Sequence, residues 1–131
     1  MERTAINPWN WSAKLGYNQA ELVWGQARTL YISGQTAMSG DGDPEHAGDM
    51  AAQLALSLDN VEAVLSQADM SLANLVRLNV YTTDVDLLFH HYGILAARLG
   101  GAGVAPATTM LEVKRLAIPA LMVELEGTAV A

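Results

Sequence analysis

A strict alternation near the C-terminus constrains the fold more than any other feature of this chain. Successive side chains of a β-strand point to opposite faces of a sheet. Between positions 121 and 128 one set of residues is apolar or glycine, whereas the other set holds two carboxylates. The first set is Leu121, Val123, Leu125 and Gly127, and the second is Met122, Glu124, Glu126 and Thr128. The alternation predicts a strand, about Ala120–Val130, with one face in a core and one mixed face.

Periodicity and turn-forming residues locate the remaining elements. Apolar residues at spacings of three and four predict one helix over Asp49–Ala68, and a second that starts at Thr83–Asp86 and ends at Gly100–Gly103. Runs of strand-forming residues predict strands at Glu21–Val23, Thr29–Ser33, Leu75–Thr82 and Thr108–Arg115. The first two of these strands flank a turn at Trp24–Gln26. The predicted element order is therefore β-β-α-β-α-β-β.

This order predicts an α/β (α+β) fold with one mixed β-sheet and two α-helices on one face. Strand–helix–strand crossovers place both helices on the same side of the sheet. The 131 residues show no linker and no internal repeat, so we expect a single domain over residues 1–131. The other face is too apolar for solvent and too charged for the core of a monomer. We therefore expect a homo-oligomer in which a partner subunit's sheet covers that face.

Composition excludes several classes of function. The chain has no cysteine, which removes disulfides, thiolate nucleophiles and cysteine-based zinc sites. Seven basic residues face fourteen acidic ones, and the net charge of −7 argues against nucleic-acid binding. No apolar stretch approaches the roughly 20 residues that cross a bilayer, and the N-terminus does not resemble a secretory signal. We expect a cytoplasmic protein that binds neither nucleic acid nor membrane.

Metal and phosphate sites receive little support from the sequence. His90 and His91 are adjacent on a predicted helix, so their side chains diverge by about 100° and do not chelate one metal. The run Asp41–Asp43 opens like a calcium loop, but the twelfth position is Ala52 instead of glutamate. The glycines of 100–103 follow a helix and so present no helix N-terminus to a phosphate. We expect no metal and no cofactor.

Three glutamates are the residues best suited to chemistry. Glu112, Glu124 and Glu126 are predicted to lie on neighbouring strands of the mixed face. Partial burial and like charge both raise the pKa of a carboxyl group, which suits proton exchange or the positioning of water. The alternative is that these carboxylates pair with Lys114, Arg115 or a neighbouring subunit. The sequence leaves both interpretations open.

Several segments together resemble the RidA/YjgF family of small proteins, from Tyr17 to the C-terminus. Ala105–Leu116 is similar to the family signature Ala-Pro-Ala-Arg-Ser-x-x-Glu-Val-x-x-Leu, and Val123–Glu126 to Val-Glu-Ile-Glu. The other similar segments are Gly16–Ala20, Tyr31–Gln35, Gln53–Leu65 and Val80–Asp84. The resemblance implies a chorismate-mutase-like fold and a homotrimer with its sheets inward and a small-molecule ligand between subunits.

The resemblance also implies an activity and a set of site residues. Family members with full motifs hydrolyse reactive enamines and imines to 2-oxo acids without metal or cofactor. By this resemblance Glu124 positions the attacking water. The implied substrate-binding residues are Tyr17, Ser33, Gly34, His91, Tyr92, Thr108 and Thr109.

Two departures from the family pattern limit what the resemblance implies. Thr108 stands where the family has an arginine that holds the substrate carboxylate, and Leu116–Pro119 replaces a shorter Leu-Pro loop. A threonine hydroxyl does not replace a bidentate guanidinium. We therefore expect little activity on 2-aminoacrylate. Two functions remain: hydrolysis of an imine, enamine or related carbonyl compound, or non-catalytic binding of a small ligand in the same cleft.

Overall fold

The computed structural model describes residues 1–131 and contains six β-strands and three α-helices. In chain order they are β1 (Glu2–Ile6), β2 (Ala20–Trp24), β3 (Thr29–Gln35), α1 (Met50–Gln67), β4 (Leu75–Thr82), α2 (Val85–His90), α3 (Tyr92–Gly101), β5 (Ala107–Glu112) and β6 (Val123–Val130). Four strands form a sheet in the order β3-β6-β4-β5, in which only β4 and β5 are parallel. β1 and β2 form a separate antiparallel pair.

The first helix forms as the sequence predicts. The carboxylate of Asp49 accepts a hydrogen bond from the backbone N–H of Ala52 at 3.0 Å, which satisfies a donor that the first turn leaves free. The apolar stripe of α1 packs on β3 and β6. Its buried members include Leu54, Leu58, Val61 and Leu65. No helix of this protein is long and apolar enough to cross a membrane.

The second predicted helix is two helices, so the expectation of two helices is wrong. α2 ends at His90 and α3 begins at Tyr92, and the ψ of 9° at His91 between them departs from helical geometry. The segment His90–Gly93 consists of weak helix formers, so the chain breaks there at little cost. The apolar spacing continues across the break, and Leu88, Leu95 and Leu99 all lie in the core.

The expectation of one mixed sheet is also wrong, because the first two predicted strands belong to different sheets. β2 pairs with β1, a strand the sequence analysis did not predict, and β3 pairs with β6. The guanidinium of Arg3 fixes β1 in place. It forms a bidentate ion pair with Glu21 at 3.1 Å and donates to the backbone carbonyls of Ala73 and Leu75.

The two faces of the four-stranded sheet differ as predicted, except along β5. Glu112 does not share a face with Glu124 and Glu126. It lies on the helix side, where its carboxylate accepts a hydrogen bond from the backbone N–H of Val85 at the start of α2. The strand ends at Glu112 instead of Arg115, and its open-face residues include Leu111, which is 50% exposed. The predicted cluster of three carboxylates is therefore a pair.

The core fills the space between the helices and one face of the sheet. An apolar cluster of 18 buried residues joins α1, α2 and α3 to β4 and β6. The opposite sheet face, which we call the open face, has no helix over it. Its residues include Tyr31, which is 80% exposed, together with Ser33, Tyr81, Glu124 and Glu126.

A fully buried amide connects the helix layer to the strand that carries the carboxylate pair. The side chain of Gln53 donates to the backbone carbonyls of His46 and Ala120, at 3.1 and 2.9 Å. Its oxygen accepts from the backbone N–H of Met122 at 2.7 Å. These three bonds hold the residues before β6 against α1 and so fix where β6 begins.

Replacing this amide by an apolar side chain of similar size should destabilise the fold. Gln53→Leu leaves the backbone N–H of Met122 and the carbonyl of Ala120 without these partners, at about 1–3 kcal/mol for each unsatisfied group. The carbonyl of His46 still accepts a hydrogen bond from the backbone N–H of Asp49. We expect the free energy of unfolding in urea to fall by about 2 kcal/mol or more. The matched control, Gln67→Leu at the exposed end of α1, should change it by less than about 0.5 kcal/mol. Equal losses in the two variants would contradict this role for Gln53.

Candidate functional site

One part of the candidate site is a carboxyl group packed against a glycine on the open face. Glu124 on β6 lies beside Gly34 on β3, and a Cβ atom built at position 34 would lie 2.3 Å from Oε1 of Glu124. Only glycine leaves room for this approach. Burial, followed by the charge of Glu126, raises the pKa of the Glu124 carboxyl group. Ser33 lies next to this contact and is exposed.

The neighbouring carboxylate, Glu126, is occupied by hydrogen bonds within the chain. It accepts one from Nδ2 of Asn79 at 3.0 Å and another from the hydroxyl of Tyr81. The hydrogen bond to Glu126, with burial and the two negative charges, raises the pKa of Tyr81. No such bond reaches Glu124, and neither glutamate pairs with Lys114 or Arg115. Glu124 is therefore the carboxyl group available for proton exchange or for holding a water molecule.

The other part of the candidate site is an apolar pocket of about 210 Å³. It is lined by Leu15, Tyr17, Phe89, Tyr92, Thr108 and Met110. The ring of Trp11 meets Tyr17 edge to face, with centroids 6.1 Å apart. Burial, and then the proximity of Tyr17, raises the pKa of Tyr92.

Two of the pocket's hydroxyl groups are already used by the backbone. The hydroxyl of Tyr92 donates to the carbonyl of Leu15, which ties the N-terminal segment to α3. The hydroxyl of Thr108 donates to the carbonyl of Pro106 at 2.8 Å. Thr108 therefore offers the pocket a methyl group and an oxygen whose proton points elsewhere. The hydroxyl of Tyr17 forms no such bond within the chain.

The two parts of the site lie on opposite sides of the same sheet. In β4, Leu78 is buried in the core, whereas Tyr81 lies on the open face. Thr108 is the strand partner of Leu78, and Glu124 is the strand partner of Tyr81. Because side chains alternate along each strand, Thr108 faces the helices and Glu124 faces away from them. One copy of the chain does not bring the two parts into a single cleft.

The sequence-predicted site residues thus divide into three sets. Tyr17, Tyr92 and Thr108 line the pocket, and Ser33 and Gly34 lie beside Glu124. The remaining two, His91 and Thr109, line neither part.

His91 lies between α2 and α3. Its backbone N–H donates to the carbonyls of Leu88 and Phe89 at the end of α2, and its side chain is not part of the pocket. The hydroxyl of Thr109 lies on the open face and accepts a hydrogen bond from Arg77 at 2.7 Å.

The sequence analysis missed three pocket residues, two of which had a usable signal. Met110 is two residues from Thr108 on a strand and so shares its face. Phe89 is three residues from Tyr92, the spacing of neighbours on a helix, and the two rings lie 6.0 Å apart across the helix break. Leu15 has no comparable signal, because it lies on a short 3₁₀ turn brought to the pocket by distant contacts.

A family model and the solved structures indicate the same family. A family model described as Endoribonuclease L-PSP matches residues 10–131. The sequence comparison with curated proteins gives no significant match. Among solved structures, YyfB from Yersinia pestis, a Rid-family protein of unknown function, is 32% identical with a TM-score of 0.89, and all of both chains is covered.

Two further solved structures support the same assignment of fold. Rv2704 from Mycobacterium tuberculosis, a member of the YjgF/YER057c/UK114 family, is 30% identical, with a TM-score of 0.65 over 99% of this chain and 100% of that one. TdcF from E. coli, solved with bound serine, shares the fold at 24% identity, with a TM-score of 0.70 over 88% of this chain and 87% of that one. The mixed α+β fold, the family model and the full-length likeness to YyfB show that this chain belongs to the Rid/YjgF/UK114 family.

Proposed function

We propose that this protein is a homotrimer whose clefts between subunits bind a small molecule and hydrolyse a reactive imine, enamine or related carbonyl compound. The observation that carries the proposal is Glu124, a carboxyl group of raised pKa without a hydrogen-bond partner, set against Gly34 on the uncovered face of the sheet. Carboxyl groups whose pKa is raised by burial are suited to exchange protons close to neutral pH.

The arrangement of the two parts supports a site shared between subunits. Glu124 and the Tyr17–Thr108 pocket lie on opposite sides of the sheet, so they meet only when one subunit's open face lies beside another's pocket. The open face also exposes Tyr31 and Leu111, apolar side chains that a partner would cover. A closed ring of three copies would place each Glu124 in a cleft with a neighbour's pocket.

The chemistry needs only groups that the chain supplies. Glu124 takes a proton from a water molecule as the water oxygen attacks the carbon of the C=N bond, and it returns that proton to the nitrogen. Glu124 then takes the hydroxyl proton of the resulting amino alcohol and passes it to the nitrogen as the C–N bond breaks, which releases ammonia with a carbonyl product. The free hydroxyl of Tyr17 donates to the substrate and orients it. No metal or cofactor takes part in these steps.

Thr108 makes carboxylate-bearing substrates poor candidates. The TdcF structure contains serine, whose carboxylate needs a cationic partner if it is buried. No residue lining the pocket of this chain is charged. A charge-assisted hydrogen bond contributes about 1.5–3 kcal/mol, so its loss weakens binding by about tenfold or more. We therefore propose that 2-aminoacrylate is not the principal substrate.

A non-catalytic role in binding a small ligand is the second candidate. The pocket favours this role, because the hydroxyl groups of Tyr92 and Thr108 donate to backbone carbonyls. These two residues therefore contact a ligand mainly through shape complementarity. Cleavage of RNA, which the family model's description names, fits this chain poorly. The net charge is −7, and two glutamates lie on the open face, so phosphates would be repelled.

The raised pKa of Glu124 predicts a pH-dependent cost to stability. The folded state holds this proton more tightly than the unfolded chain, so stability is lost as pH rises above the ordinary pKa of 4.5. Glu124→Gln removes the ionisation while keeping the shape. Its melting temperature should exceed that of the parent at pH 7, and the difference should vanish below pH 4.5. Glu2→Gln on exposed β1 controls for the loss of one negative charge. An equal rise in melting temperature in this control would contradict the assignment of the effect to the raised pKa of Glu124.

A charge placed on the open face should separate the subunits. Light scattering should give about 42 kDa for three copies of the 14.0 kDa chain. Tyr31→Glu adds a carboxylate to a face that already holds Glu124 and Glu126, so it should shift the mass to that of one chain. Leu22→Glu, at an exposed apolar residue of β2, should leave the trimer intact. Dissociation by both variants, or by neither, would contradict the open face as the interface.

Two substitutions separate catalysis from binding. Glu124→Gln should lower kcat for a neutral imine by about 10²- to 10⁴-fold without loss of fold, whereas a binding protein would show no turnover to lose. Thr108→Arg should raise kcat/KM for 2-aminoacrylate by about tenfold or more, because it restores a charged hydrogen bond. Unchanged turnover in the glutamine variant would overturn the role of Glu124.

A further inference from the structure

The pocket beside Thr108 differs in chemistry from a site for organic acids. Five of its six lining residues are hydrophobic, and the sixth is Thr108 itself. The cation on the neighbouring strand β4, Arg77, donates to Thr109 on the opposite face. A buried anion would have no partner here, and the cost of removing it from water would not be offset.

From this lining we infer that the pocket selects neutral ligands that carry an aromatic ring or a branched aliphatic group next to a C=O or C=N bond. The inference names a substrate class for the cleft proposed above. It rests on the proposed function for the hydrolysis step, but not for the selectivity of binding. Ligand pockets of this kind combine a mostly apolar wall with a few placed polar groups.

The dimensions of the pocket match a single ring. Its volume is about 210 Å³, and an apolar protein cavity of about 150 Å³ binds benzene. The rings of Phe89 and Tyr92 lie 6.0 Å apart at 48° and form one wall. Phe89 is 55% exposed and Leu15 43%, so the mouth of the pocket is apolar as well. An exposed apolar rim of this kind is a mark of ligand-binding sites on soluble proteins.

One donor remains to recognise the polar end of the ligand. Tyr92 and Thr108 direct their protons to the carbonyls of Leu15 and Pro106, whereas the hydroxyl of Tyr17 is free. A single neutral donor satisfies one carbonyl oxygen or imine nitrogen. It does not satisfy the two charged oxygens of a carboxylate, which accept several hydrogen bonds.

An isosteric pair of probes tests the inference. Phenylacetamide and phenylacetate share the ring and differ in the charge of the polar end, and acetamide lacks the ring. Protein-observed NMR titrations of the assembled protein should give a Kd for phenylacetamide at least about tenfold below that for phenylacetate. Acetamide should not saturate. Equal binding of the two ring probes, or shifts that do not cluster around Tyr17 and Phe89, would overturn the inference.

Substitutions at Phe89 and Thr108 test the inference further. Phe89→Ala removes an exposed ring and should weaken phenylacetamide by about tenfold. Leu22→Ala, an equally exposed apolar residue outside the pocket, should leave its binding unchanged. Thr108→Arg should reverse the preference and bind phenylacetate more tightly than phenylacetamide. Unchanged affinity for phenylacetamide in Phe89→Ala would place binding elsewhere and overturn the inference.

The outcome for catalysis is measured separately, so the two proposals fail in different ways. Hydrolysis is followed for the imine of phenylacetaldehyde and for the imine of phenylpyruvate, which adds a carboxylate. Neutral-selective binding without turnover of either imine would support the pocket and contradict hydrolysis. Turnover of the phenylpyruvate imine at the same or higher kcat/KM would contradict the pocket's selectivity and leave hydrolysis standing.

Discussion

The alternation of side chains along β6 determines both the core and the candidate site. β6 runs between β3 and β4, so its apolar side chains have neighbours on both sides. Val123 and Leu125 are completely buried beneath the helices, and Glu124 between them is forced to the open face. A shift of one residue would exchange these positions and bury the carboxylate in the core. The side chain of Gln53 holds the segment before β6 by hydrogen bonds to its backbone and so opposes that shift.

The pocket depends on a different constraint, the attachment of the N-terminal segment. Arg3 binds Glu21 and two backbone carbonyls near β4, which holds β1 and β2 to the main body. Leu15 and Tyr17 lie between those two strands and so are held from both ends. Tyr92 completes the attachment through its bond to the carbonyl of Leu15. Attachment at both ends would preorganise the pocket for the ligand proposed above, which lowers the entropy lost on binding.

Local patterns in the sequence predicted much of the fold and part of the site. α1 and the strand β4 follow from periodicity, and the Asp49 cap follows from its position before the helix. The resemblance implied a site that includes Gly34 and Glu124, but the contact between them is visible only in the folded structure. Apart from the helix break at His91, the errors concern contacts between distant residues. The pairing of β1 with β2 depends on Arg3 reaching Ala73 and Leu75, and the orientation of β5 depends on its register with β4. Neither is visible in a window of neighbouring residues.

The central claim is that Glu124 of one subunit and the Tyr17–Thr108 pocket of another form one cleft. A crystal structure of the assembled protein tests it most directly, through the position of Glu124 relative to its neighbour's pocket. We predict a trimer in which each Glu124 carboxyl group faces Tyr17 and Thr108 of the adjacent subunit across an open cleft. A monomer, or an assembly in which partner side chains fill the pocket and Glu124 faces elsewhere, would contradict the account.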